Sequence, residues 1–75
     1  MWTITKIDDR FIALKDDQQI PMKGERFLHT SPRGVLDDIA RECADNDAPT
    51  SNCALHPNEH ATAELIRSYG FTVAD

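Results

Sequence analysis

The chain has 75 residues, a net charge of −5 and two cysteines, with 40% hydrophobic and 28% charged residues. That length predicts one small domain over residues 1–75 with a marginal core, and it leaves little room for a deep pocket with catalytic walls of its own. The N-terminus shows no signal-peptide pattern, the longest strongly apolar run is Phe11–Leu14, and two cysteines make no secreted disulfide framework; the expectation is a cytoplasmic protein with reduced thiols and no membrane contact.

In chain order, Trp2 and Ile4 alternate with Thr3 and Thr5, a period-two pattern of aromatic and β-branched residues that predicts a strand to Ile7. Asp8-Asp9-Arg10 reads as a turn and Phe11–Leu14 as a second strand, so the two form a hairpin. Lys15–Gln18 is a second polar turn. Gln19–Met22 reads as a short third strand, with Pro21 marking an edge, and Phe27-Leu28 as a brief extended segment after the break at Gly24. Ser31 followed by Pro32 is a helix start signal. From there Val35, Leu36, Ile39, Ala40 and Cys43 fall on one helical face.

Residues 46–57 are rich in Asn, Asp, Pro, Thr and Ser and read as a linker. A second helix is expected from Pro57 or Asn58 to Tyr69, with Ala61, Leu65, Ile66 and Tyr69 as its apolar stripe. Gly70 stands at the left-handed position that closes such a helix, and Phe71 and Val73 flank Thr72 in a short terminal strand. The predicted fold class is α+β: a small antiparallel hairpin or meander, two helices on one face, and a short C-terminal strand.

Charge is distributed unevenly over these elements. Residues 1–36 carry six cations and five acids, whereas residues 37–75 carry two cations and eight acids. On the first helix, Asp38, Glu42 and Asp45 recur at helical spacing as an acidic stripe, with Asp37 beside it and Arg41 offsetting part of the repulsion. Such a surface suits a basic partner and repels nucleic acid. Carboxylates repeated along a helix also imitate a phosphate backbone, so they could cover the nucleic-acid groove of another protein. Lys23, Arg26, His29 and Arg33 form the counterweight, too few for a nucleic-acid footprint and better suited to meet the acidic half, within the chain or across a homodimer. The acid pairs Asp8-Asp9 and Asp16-Asp17 read as turn chemistry.

A second constellation is Cys43, Cys53, His56 and His60. Two thiols and two imidazoles can hold zinc tetrahedrally, and a structural zinc would staple a small core. The gap of nine residues between the cysteines is too long for a zinc-finger knuckle. Cys53 with His56 or His60 could also form an activated thiolate, although no third group is marked to orient the imidazole. A Cys43–Cys53 disulfide is the rarer outcome in a cytosolic setting. Phosphate-cradling glycine loops, HExxH and nucleophile-elbow motifs are absent from the sequence.

Taken together, the residues predict a small acidic module, not an enzyme. It would act as an inhibitor or adaptor of another protein, of the size and acidity that phages and mobile elements encode. Asp37, Asp38, Glu42 and Asp45 would form the contact. A zinc-stapled domain is the alternative, and a thiol enzyme the third reading.

Overall fold

The computed structural model describes residues 1–15 and 28–75 together with the backbone of residues 18–19. The first two strands, β1 (Trp2–Ile7) and β2 (Arg10–Lys15), pair antiparallel over six residues, from Trp2 with Lys15 to Ile7 with Arg10. Their two-residue turn has both central residues left-handed, Asp8 at φ 49° and Asp9 at φ 63°. A mirror-image turn of this kind matches the twist of a hairpin, and Asp tolerates the conformation better than most side chains. A third strand, β3 (Gln18–Gln19), pairs with the end of β2. It begins one residue before the predicted strand; Ile20–Met22, Gly24 and Phe27 lie outside the described residues.

Helix α1 (Pro32–Asp45) starts where the sequence predicts. Ser31 is extended, and its Oγ accepts from the Gly34 N–H. The chain then makes a single 3-10 turn at Thr50–Asn52 and enters β4 (Ala54–Leu55), helix α2 (Ala63–Ser68) and β5 (Thr72–Val73). The strand order is β3-β2-β1-β4-β5, with β4 parallel to β1 and β5 parallel to β4. The fold is α+β as expected, but its sheet is mixed, not purely antiparallel. Each of the last two strands follows a helix, and a helical crossover returns the chain in its original direction.

β4 and the start of α2 also differ from the sequence reading. β4 arises inside the stretch read as a linker. α2 begins at Ala63, capped by Thr62, whose Oγ1 accepts from the Leu65 N–H, and not at Pro57 or Asn58. Asn58 explains the delay. Its Oδ1 accepts from the N–H groups of His60 and Ala61, both at 2.8 Å, so its side chain builds a turn in place of a helix. Its Nδ2 donates to the Ile4 carbonyl at 2.7 Å and ties that turn to β1.

The core lies on one face of the sheet. Trp2, Ile4 and Ala13 meet Val35, Leu36, Ile39 and Cys43 from α1, Leu55 from β4, Ala61, Ile66 from α2, and Phe71. Ile4, Leu36, Ile39, Leu55 and Ile66 are fully buried, each contributing about 1.5–3 kcal/mol of transfer free energy. Among the described residues no helix is long and apolar enough to cross a membrane.

Candidate functional site

The acidic stripe divides when the helix is folded. Asp38 is only 4% exposed. Its position three residues after Val35 and one before Ile39 turns it toward the core edge. Both carboxylate oxygens are engaged: His29 Nε2 lies 2.6 Å from Oδ2, and the Arg41 guanidinium donates to Oδ1 at 3.1 Å. Asp38 is therefore an internally satisfied carboxylate, and its assignment to a partner-binding surface is corrected. A buried carboxylate without such donors would carry a heavy desolvation cost.

His29 is brought to Asp38 by two features. Its backbone forms an isolated antiparallel bridge with Phe11, exchanging N–H and carbonyl groups in both directions. Its ring lies on Gly34, where a Cβ would stand 2.8 Å from the ring carbon Cγ. Gly34, a weak helix former inside the first turn, is thus the residue that lets the imidazole approach α1. Of the basic segment, Lys23 and Arg26 lie outside the described residues, while His29 does meet the acidic half within the same chain.

The other stripe residues are distributed along α1. Asp37 is exposed near Tyr69, whose hydroxyl donates to the Arg33 carbonyl at 3.4 Å. Partial burial, and then the Asp37 carboxylate, hold the Tyr69 phenol above its ordinary pKa of 10.0. Glu42 is half-buried, and Asp45 is exposed in the last turn. Asn46 closes the helix: its backbone N–H and its side-chain Nδ2 both donate to the Glu42 carbonyl. Asp47 follows in the left-handed conformation at φ 53°. No basic residue lies in the last turn of α1.

The Cys/His constellation also divides. Cys43 and Cys53 form a disulfide between the last turn of α1 and the residue preceding β4. The expected reduced thiols are corrected by this bond: the linker folds back through its 3-10 turn and brings Cys53 against the helix. His56 stands just after β4, its N–H donating to the Trp2 carbonyl at 3.1 Å. His60 packs edge-on against the Phe11 ring, with centroids 5.2 Å apart, and its Nε2 lies 3.4 Å from Glu59 Oε1. Among the described residues no group of three or more His, Cys, Asp or Glu side chains is placed to hold a metal. The predicted zinc set of Cys43, Cys53, His56 and His60 is not assembled, because disulfide sulfurs offer no thiolate. For the same reason Cys53 is not an activated nucleophile in this oxidised form.

A cleft of about 190 Å³ borders the disulfide, walled by Trp2, Lys15, Glu42, Asn46 and Ala48 together with the two half-cystines. The Lys15 ammonium lies 5.5 Å from the Trp2 ring centroid, a cation–π contact on the cleft wall. Lys15 and Trp2 are opposite each other in the β1–β2 register, so the hairpin sets this contact. The sequence reading missed the His29–Asp38 pair and the Asn58 anchor, and it ranked the disulfide as the rarer outcome. The first two had local signals, a glycine inside a helix start and an Asn four residues before a helix cap. The disulfide had none beyond the presence of two cysteines. Comparison with protein-family models, with curated proteins and with solved structures finds no match.

Proposed function

We propose that the chain is a small protein-binding module, an inhibitor or adaptor, that docks the acidic end of α1 on a basic surface of another protein. The observation that carries this reading is the clustering of carboxylates at the C-terminal pole of the helix. Glu42 and Asp45 stand in the last turn and Asp47 two residues beyond it, with no basic residue in that turn. A carboxylate at a helix C-terminus opposes the macrodipole and costs about 0.3–1 kcal/mol at an exposed position. Three carboxylates of one sign nonetheless gather at one end of α1. Asp37, two turns back, extends the surface; Asp38 does not belong to it. With Asp38 withdrawn the resemblance to a run of phosphates is shorter, which favours a basic protein surface in general over a nucleic-acid groove in particular.

The compartment enters through the disulfide. Persistent Cys43–Cys53 bonding goes with an oxidising setting, whereas the expected cytoplasmic setting keeps such pairs as thiols. Alkylation at the moment of lysis, followed by mass measurement, separates the two.

The docking reading is tested by affinity capture from the source lysate at low and raised salt. Glu42→Lys with Asp45→Lys is compared with a control that reverses Glu59 and Asp75, two exposed acids elsewhere. The expected result is a partner retained by the parent and the control, lost by the α1 variant, and lost with salt. Equal capture by both variants would overturn the reading.

A further inference from the structure

The sheet ends on one side at β5, which pairs with β4 and stands last in the strand order. Along a paired strand, successive residues turn their backbone groups to alternate sides. The Thr72 and Ala74 N–H groups donate to the Cys53 and Leu55 carbonyls. The Val73 N–H and carbonyl therefore point away from β4, and the same alternation places the Phe71 carbonyl and the Asp75 N–H on that open side. Among the described residues none of these groups has a hydrogen-bond partner. Thr72 and Asp75 are exposed, and Val73 is half-buried. Open edges are ordinarily blunted with lysine or proline, and residues 71–75 carry neither.

We propose that the open edge of β5 pairs antiparallel with the same edge of a second copy of this chain, about a two-fold axis through Val73. In that register the open groups are self-complementary. Val73 exchanges N–H and carbonyl with the Val73 of the second copy, and each Asp75 N–H meets the Phe71 carbonyl of the other copy. Every open group is then paired, and the two valines stand directly opposite each other, a favourable β-branched pair.

Charge fixes the direction. Arg67 is exposed in the last turn of α2, before the entry of β5, and Asp75 is exposed at its exit. Neither side chain has an ion-pair partner among the described residues. Antiparallel pairing brings the exit of each strand beside the entry of the other, so Arg67 of one copy faces Asp75 of its mate on both sides of the axis. Parallel pairing would set like charges together. The contact uses the same patch on both copies and closes at a dimer, because β5 has a single open edge.

This surface shares no residue with the acidic end of α1 and needs no foreign partner, so it stands apart from the docking reading. A short backbone ladder and exposed ion pairs hold it, which sets a dissociation constant on the order of 100 µM.

The experiment uses the full chain in its disulfide-bonded form. Sedimentation equilibrium is run over a concentration series, and backbone amide shifts are followed over the same series. The expected result is a monomer–dimer equilibrium, with the concentration-dependent shifts centred on the Val73 and Asp75 amides. Val73→Pro removes a donor that serves no strand of its own chain, and it should leave a monomer. Arg67→Glu and Asp75→Arg, both at exposed positions, should each weaken the dimer on the order of fivefold at low salt, and together restore it. This charge exchange decides the matter even where Val73→Pro disturbs the fold. Undiminished dimerisation of a folded Val73→Pro chain, shifts centred elsewhere, or a doubly exchanged chain no tighter than either single variant would overturn the pairing. A chain still monomeric at about tenfold that concentration would overturn the second copy as occupant and leave the edge to a foreign strand.

Discussion

The hairpin and the parallel half reach the same core by different means. β1 and β2 are adjacent in sequence, joined by a two-residue turn, and each backbone pair supports the next. β4 and β5 are brought in from distant positions by short segments, and each relies on the other, on α1 and on a covalent bond. Local pairing incurs little loop-closure entropy, while non-local pairing must recover it through burial or a cross-link. This chain uses both remedies at one place, since Leu55 is fully buried two residues after Cys53.

Substitutions that empty the core should show the contrast most strongly. Leu55→Ala removes a fully buried side chain shared by β1, β4 and β5. It is expected to cost about 2–5 kcal/mol, close to all the stability a chain this small can hold. Ile7→Ala, at the half-exposed end of the hairpin, is expected to stay within about 0.5 kcal/mol. Urea denaturation of both variants measures the difference. Equal costs would mean that the parallel half does not depend on Leu55 as its geometry implies.

The Asp38 cluster is next in size. Asp38→Ala leaves two partners that differ in exposure: the His29 side chain is one-third exposed, and that of Arg41 is 61% exposed. Loss of the carboxylate is expected to cost about 1–3 kcal/mol, since a buried charge-assisted network is removed. A double-mutant cycle should assign most of the coupling to His29, because the Arg41 pair is largely screened and falls within about 0–1 kcal/mol. Gly34→Ala is a second probe of the same contact. Alanine gains about 1 kcal/mol of helix propensity over glycine, but its Cβ would displace the His29 ring. A net gain in stability from that substitution would show that the His29–Asp38 bond contributes little.

The residues that were legible in the sequence are those whose signals are local. Trp2 and Ile4 alternate with threonines, Ser31 and Pro32 start a helix, and Gly70, at φ 83°, ends one. Each of these conformations is set within a few residues, so spacing alone reveals it. β4 was hidden because two residues carry no periodicity, and the turn-rich composition around them points to a loop. The disulfide and the direction of β4 and β5 depend on how helices return the chain, which no spacing records. Asp38 misled for a related reason. Its place in an i, i+4, i+7 acidic series is a true helical pattern, yet the buried arc of α1 is wide enough to include it.

The smallest effect reads the contact between the halves most directly. Tyr69 closes α2, and its hydroxyl reaches α1 at Arg33 beside Asp37, so the phenol reports whether the two helices are docked. It is the sole tyrosine of the chain, which makes tyrosinate absorbance a clean signal. Its pKa is raised, first by partial burial and then by Asp37. As pH climbs past 10.0 the unfolded chain ionises before the folded one, so the folded state binds more protons and stability declines until the folded phenol also ionises. Asp37→Asn removes the carboxylate contribution and should lower the midpoint toward 10.0, leaving the contribution of burial. Opening the disulfide should do more, because release of α2 removes burial and carboxylate together and leaves an ordinary phenol. If the reduced chain kept the raised midpoint, α2 would still be docked on α1 without its cross-link, and the parallel half would be self-supporting after all.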